Sequence, residues 1–248
     1  MDNLSIAAVS GLRSRMQSLD LLANNLANSA TSGYKSDREY YGLYTSDDSE
    51  NGIDGGAGAS LPVVERQWTD FSQGVIETTG NPLDVALGGN GFFTVNGPKG
   101  LLYTRNGSLR ILPTGELANG DGYPLRSTSG TTINVNAGKQ INITKEGVVQ
   151  QDGQSVGQLD VVDFGSTNSL LKTGSASFQN TDPKNAPTAA SNVDVEQGKL
   201  EGSNVPVAYA AMRLVGIMRQ FEMLQKAIGI SSDMDTKSIQ EVARVSAQ

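Results

Sequence analysis

Residues 9–33, VSGLRSRMQSLDLLANNLANSATSG, decide how this 248-residue chain is read. Val9, Leu12, Met16, Leu19, Ala23, Leu26 and Ala30 step by 3, 4, 3, 4, 3 and 4. That alternation is a heptad seam on a helix, two apolar positions in seven. The first 30 residues hold one Gly and no Pro, so nothing interrupts it. Thr31-Ser32-Gly33 supplies a stop, which predicts a helix ending near Ala30. The other end of the chain repeats the pattern. Val207, Ala211, Leu214, Met218, Phe221, Gln225 and Ile228 step by 4, 3, 4, 3, 4 and 3. Ser203-Asn204 offers an N-cap and Pro206 suits a first turn. Gly229 followed by Ser231-Ser232-Asp233 offers a break or kink, with the remainder able to continue as helix.

Each stripe could simply pack on the body of its own domain. Both, however, are narrower than the usual face of a core-packed helix. They also lie at opposite chain ends around a middle of different composition. Alanines at 7, 8, 23, 27, 208, 210 and 211 permit close helix approach. The reading is that the paired ends pack against copies in other subunits. Asn24, Asn25 and Asn28 are poor helix formers beside the seam. They are expected to hydrogen-bond to neighbouring helices, the alternatives being plain exposure or local capping.

The middle reads as β-structure. Asn90-Gly91, Asn96-Gly97, Asn106-Gly107, Asn119-Gly120, Asp121-Gly122 and Asp152-Gly153 are hairpin-type turns, in which positive φ is tolerated. Between them run 83–87, 92–95, 101–104, 109–112, 141–144 and 159–164, all short and apolar. The predicted class is α+β: terminal helices pairing as a coiled coil, a mainly antiparallel β central domain, and an extended linking region. The expected boundaries are 1–35 with 203–248 for the helices, 81–164 for the β domain, and 36–80 with 165–202 for the link.

Composition removes whole function classes. The chain has no Cys and no His, so thiolate sites, disulfides and His-based acid–base chemistry are excluded. Net charge is −7, against nucleic acid as a partner. Residues 36–202 carry 11 basic and 20 acidic groups, while the two ends together are slightly basic. No stretch of about 20 apolar residues exists for a transmembrane helix. Asp2, Arg13 and Arg15 speak against a secretory signal. Asp47, Ser49, Asn51 and Gly52 mimic half a calcium loop, but Gly58 stands where its Glu belongs. Gly88-Gly89-Asn90-Gly91 leads into a strand rather than the helix a phosphate cradle needs. Asp160 and Asp163 lie three apart on a strand and face opposite sides. Trp68 reads as packing. No enzyme, cofactor or metal is expected.

Several segments together resemble a known family. Residues 23–35 (ANNLANSATSGYK) look like the N-terminal signature of bacterial flagellar rod and hook proteins. LDVALGGNGFFTV at 83–95, YTRNGSLRILPTGELANGDGYPL at 103–125 and VGQLDVVDF at 156–164 resemble the family's central region. LEGSNV at 200–205 resembles the entry to its C-terminal helix, and Arg219-Gln220-Phe221-Glu222 a family Arg-aromatic-Glu group. The resemblance implies a structural axial subunit of the flagellar basal-body rod. It implies passage through the flagellar type III export apparatus without cleavage, and assembly in the periplasm with copies of itself and other rod and hook proteins. It implies terminal helices forming an inner coiled-coil layer with the β domain outside. A proximal rod protein is favoured, a distal one next, because the chain is short and Val207–Gln225 departs from the distal ending. The expected assembly residues are Val9, Leu12, Met16, Leu19, Asn24, Asn25, Leu26, Asn28, Ala211, Leu214, Met218, Phe221 and Ile228. The competing reading is a secreted or envelope-associated β-domain binding module. A carboxylate-based glycan hydrolase ranks last, for want of an acid pair.

Overall fold

The computed structural model describes residues 3–44 and 61–245. The half-calcium loop at 47–58 lies outside the described residues. Helix α1 spans Asn3–Ala27 and helix α2 spans Val207–Val245. Between them come β1 (Asp37–Tyr44), β2 (Leu61–Thr69), β3 (Ile76–Thr78), β4 (Val85–Gly88), β5 (Phe92–Gly97), β6 (Gly100–Thr104), β7 (Leu109–Ile111), β8 (Leu117–Asn119), β9 (Ile141–Ile143), β10 (Val148–Gln151), β11 (Gln154–Gln158), β12 (Val161–Asp163), β13 (Leu170–Lys172), β14 (Ser177–Asn180), β15 (Thr188–Ala189), β16 (Asp194–Gln197) and β17 (Lys199–Glu201). The class is α+β with antiparallel sheets. The chain divides into two units: 1–26, 37–68 and 207–248 form one, and 27–36 with 69–206 the other.

The second unit is built on a six-stranded antiparallel sheet in the order β13-β14-β6-β5-β12-β15. Successive side chains of a strand face opposite sides of its sheet. On β5, Phe93 and Val95 therefore enter one core while Phe92 enters another. On β6, Leu102 joins the first core and Tyr103 the second. The first core is aliphatic, with Val85, Leu87, Leu117, Leu125 and Val149 all within 1% of full burial. The second is aromatic. Phe92 meets Phe71, Phe164 and Phe178 at ring separations of 5.6, 6.0 and 6.0 Å, in edge-on geometry. A sheet covered on both faces explains why its strands read as apolar runs rather than alternating ones.

Residues 165–202, expected as a linking stretch, are woven into these sheets. β14 pairs β6, β15 pairs β12, β16 pairs β4 and β17 pairs β3. Their Ser, Thr and Asn residues suit edge positions, and short two- to four-residue strands leave too little pattern to read. Residues 37–44 and 61–69, expected to be irregular, pair as a two-stranded ribbon. Helix α2 passes through Gly229 and its serines without a break. Pro206 stands just outside the helix, and Ser203 Oγ accepts the Val205 amide at 3.3 Å rather than capping α2 itself. Trp68, expected in packing, is 45% exposed, with the Arg38 guanidinium 5.7 Å from its ring centre.

One glycine fixes the junction between the aliphatic core and the β6–β7 turn. A Cβ on Gly107 would stand 1.6 Å from the Val85 carbonyl oxygen. The Val85 amide in turn donates to the Gly107 carbonyl at 2.9 Å. Gly107→Ala must separate β4 from the turn, so it is expected to destabilise the chain by about 3 kcal/mol. Urea unfolding of the purified variant checks this.

Candidate assembly interface

The seam expected on α1 does not face inward. At about 100° per residue, Met16 and Ser18 lie on opposite sides of the helix. Ser14, Ser18, Leu22 and Asn25 are buried, and a Cβ placed on Gly11 would stand 3.8 Å from Leu224 Cδ1 of α2, an ordinary van der Waals contact. Apart from Leu22, this inward face is small and polar. Ser18 Oγ donates to the Ser14 carbonyl at 3.1 Å, which satisfies the hydroxyl on its own helix. Val9 and Met16 are each 59% exposed and Ala23 is exposed as well. Leu12, Leu19 and Leu26 are half-buried along the flank.

Helix α2 does turn a heptad seam inward, one residue away from part of the expected one. Ala210, Leu214, Ile217, Phe221, Leu224 and Ile228 step by 4, 3, 4, 3 and 4, with Ala210 and Ile217 buried and the rest half-buried. Leu214, Phe221 and Ile228 were expected there. Ala211 is half-buried, while Val207, Met218 and Gln225 are exposed. The displacement has a cause the pattern hid: α2 is apolar on two sides. Tyr209, Met212, Val215, Met223, Ile230 and Met234 are all exposed large apolar residues. With both sides apolar, the spacing admits two seams, and a choice between them by sequence is arbitrary.

The asparagines work within the chain. Asn25 Nδ2 donates to the Asp37 carbonyl at 2.8 Å, and its Oδ1 accepts the Asp37 amide at 2.9 Å. Its side chain thus imitates a neighbouring strand and ties α1 to the start of β1. The expected bond from Asn25 to a neighbouring helix is replaced by this clamp. Asn28 Oδ1 accepts from Thr31 Oγ1 at 3.3 Å, and its carbonyl accepts the Thr31 amide at 3.1 Å. That is the local-capping alternative. Asn24 is exposed. Arg213 of α2 reaches Glu39 of β1 at 3.4 Å.

A buried charge cluster that composition and spacing did not reveal joins three distant parts of the second unit. Lys35 Nζ donates to Glu201 Oε1 at 2.6 Å and to the Ser72 carbonyl at 2.7 Å. Arg105 Nη1 donates to Glu201 Oε2 at 3.1 Å, and Nη2 to the Gly89 carbonyl at 2.7 Å. The Gly74 amide adds a third donor to the same carboxylate at 3.0 Å. Lys35 and Glu201 are fully buried and Arg105 is 3% exposed. Burial pushes the Lys35 ammonium below its usual pKa, with the Glu201 charge opposing. The same two causes act on Arg105. Around the cluster the backbone knits the same segments. The Gly33 amide donates to the Glu201 carbonyl at 2.7 Å, and the Ser36 amide to Asn204 Oδ1 at 2.7 Å. Gly33 has φ +70°, and a Cβ there would lie 2.3 Å from the Asn106 nitrogen, so only glycine fits. Lys172 Nζ donates to the Lys35 carbonyl at 2.8 Å and sits 4.2 Å from the Tyr34 ring centre.

Each member of the cluster comes from a separate segment that resembles flagellar axial proteins: Lys35 from TSGYK, Arg105 from YTRNG and Glu201 from LEGSNV. Comparison with known proteins follows the same segments. Residues 7–35 match the flagella basal body rod protein family, 86–151 the flagellar hook protein FlgE/F/G D1 domain, and 196–241 the flagellar basal body rod FlgEFG protein C-terminal family. The chain is 31% identical over 258 aligned positions to the flagellar basal-body rod protein FlgG of Agrobacterium fabrum, covering 94% of this chain and 97% of that one. The chain belongs to the flagellar basal-body rod protein family. It is also 26% identical over 246 residues to the rod protein FlgF of Caulobacter vibrioides, covering 99% of this chain and 100% of the relative. FlgG of Bacillus subtilis is 28% identical over 249 residues. As a rod-family protein it is a structural subunit of the flagellar basal body, associating with other axial flagellar proteins.

Removing one partner from a buried ion cluster leaves unpaired charge in the interior. Glu201→Gln is therefore expected to destabilise the chain by about 3–5 kcal/mol, because two cations lose their anion. Lys35→Met should have a smaller effect, since Arg105 and Gly74 still satisfy the carboxylate. Equilibrium denaturation of the two variants side by side measures the ordering.

Proposed function

We propose that this rod subunit polymerises through the outward apolar faces of its two terminal helices, packing them against copies of itself and other axial proteins. The observation that carries this reading is the orientation of α1. Its inward face is mostly small and polar, with Leu22 the large apolar residue on it, and the exposed Val9 and Met16 lie on other sides of the helix. A helix whose chain needed it only for self-packing would turn its best apolar face inward. Leu12, Leu19 and Leu26 extend the outward face, and Tyr209, Met212 and Met223 supply its counterpart on α2, with the exposed Met218 on the flank. Inward Leu214, Phe221 and Ile228 hold α2 to α1, and Ala211 lies between the two sides.

Burying each outward side chain contributes roughly 1.5–3 kcal/mol before ordering entropy is subtracted. Unlike faces on one subunit make head-to-tail contacts that need not close, and such contacts build helical tubes. In the assembled rod the terminal helices form an inner coiled-coil layer, 1–35 with 203–248, and the β-rich part faces outward. The chain takes the proximal part of the rod, on the grounds of its length and its divergent Val207–Gln225. It leaves the cell uncleaved through the flagellar export apparatus and assembles in the periplasm.

Met16→Asp and Met223→Asp are expected to abolish incorporation into isolated basal bodies and to leave cells non-motile. The β-sheet circular dichroism of the purified full-length variants should stay unchanged. Wild-type motility and rod content in both variants would overturn the outward-face reading. Phe221→Asp tests the inward seam separately: it should expose α1 and α2 of the free subunit to protease.

A further inference from the structure

The chain has six methionines, and five of them lie among residues whose side chains are described. All five are on the terminal helices and all five are exposed, from 50% at Met218 to 68% at Met212. Neither hydrophobic core contains one. Methionine normally fills irregular gaps in cores, so a distribution confined to the exposed surfaces of the two terminal helices is a property of those surfaces. Resting on the assembly reading above, we propose that these methionines make rod assembly sensitive to peroxide, with oxidation of the free subunit blocking polymerisation.

The occupant of the methionine faces is a neighbouring copy of this chain. Charge complementarity favours it: exposed Arg13 and Asp20 border the α1 face, and exposed Arg219, Glu222 and Lys226 border the α2 face. Each face therefore carries both signs for the other. An unbranched thioether lets one face adapt to the other's contour. The same sulfur is a two-electron reductant. It attacks one oxygen of hydrogen peroxide, the O–O bond breaks, and the second oxygen leaves as water after taking up a proton. The sulfur becomes a sulfoxide and the peroxide is reduced. An apolar side chain becomes polar and chiral, and burying it against a neighbour now requires a hydrogen-bond partner that an apolar face lacks. Packed copies would shield the sulfurs, so the assembled rod should resist what the free subunit does not.

The test uses the purified full chain, treated with hydrogen peroxide while dilute and then concentrated, with assembly followed by sedimentation and cross-linking. Peptide mass mapping should place sulfoxides at Met16, Met212, Met218, Met223 and Met234. Assembly should fall by about tenfold or more while the β-sheet signal persists, and methionine sulfoxide reductase should restore it. A variant with all five changed to Leu, close in volume, should assemble and be indifferent to peroxide. Normal assembly of the oxidised chain overturns the proposal, as does an equal loss of assembly in the five-Leu variant after peroxide. If the five-Leu variant does not assemble even untreated, the reductase arm decides: failure to restore the oxidised wild type overturns the proposal. An untreated chain that stays monomeric at every concentration overturns the assembly reading itself, a different result from assembly that peroxide leaves untouched.

Discussion

A single carboxylate, Glu201, neutralises two cations in a dry interior, and the rest of the second unit is arranged around that demand. Lys35 and Arg105 cannot be buried without it, and it cannot be buried without them. The three residues stand far apart in sequence, so satisfying the charge requires three segments to meet. The Gly33 and Ser36 amides, the Asn204 side chain and the Gly74 amide add directional bonds at the same place. An apolar contact would tolerate sliding between these segments. A carboxylate with three donors at 2.6, 3.0 and 3.1 Å does not. Along the chain, Lys35 follows α1 by eight residues and Glu201 precedes α2 by six.

The helices are governed by a different constraint. α1 turns Gly11, Ser14, Ser18 and Leu22 inward and leaves Val9 and Met16 exposed. Small residues inside permit close approach, and what they lose in buried area the outward side chains regain only in company. α2 has enough apolar residues for both duties. The first unit is thereby stable enough to present its faces but leaves much apolar surface uncovered, a state that marks interaction sites. Asn25 fits the same economy, since its amide satisfies both backbone groups of Asp37 at the entry to β1.

Much of this was legible in the sequence. The two terminal helices follow from unbroken 3–4 spacing, and the central strands from Asn-Gly turns around apolar runs. Strands 92–97, 100–104 and 141–143 fall where those runs predict them. The later strands were not legible, because 188–189 and 199–201 are too short for any periodicity and take their conformation from partners already in place. The α1 seam was found but its direction was not, since periodicity identifies an apolar face without saying what covers it. The α2 seam was displaced by one residue because two apolar sides give two registers. Asn25 reads from the sequence as a group for a neighbouring helix, whereas its amide bonds the Asp37 backbone, which carries no sequence signal. Lys35, Arg105 and Glu201 each stand in a segment that resembles the family, and only the fold shows that the three segments share one cluster.

The contrast between the two kinds of contact bears on how a rod carries load. Within a subunit, geometry is held by hydrogen-bonded charge that is strong only at one arrangement. Between subunits, the proposed contacts are apolar and rich in side chains with several rotatable bonds, whose energy changes little over small displacements. A tube under torque must keep each subunit's shape while its lattice flexes slightly. Placing the directional bonds inside and the forgiving ones between satisfies both requirements without disulfides, which this cysteine-free chain cannot make. The arrangement also explains why Met and Leu outnumber aromatic rings on the outward helix faces, where Tyr209 is the exception. Rigid rings reward one fit, whereas Met and Leu reward many, and a subunit that must meet both its own kind and unlike axial neighbours gains more from the second.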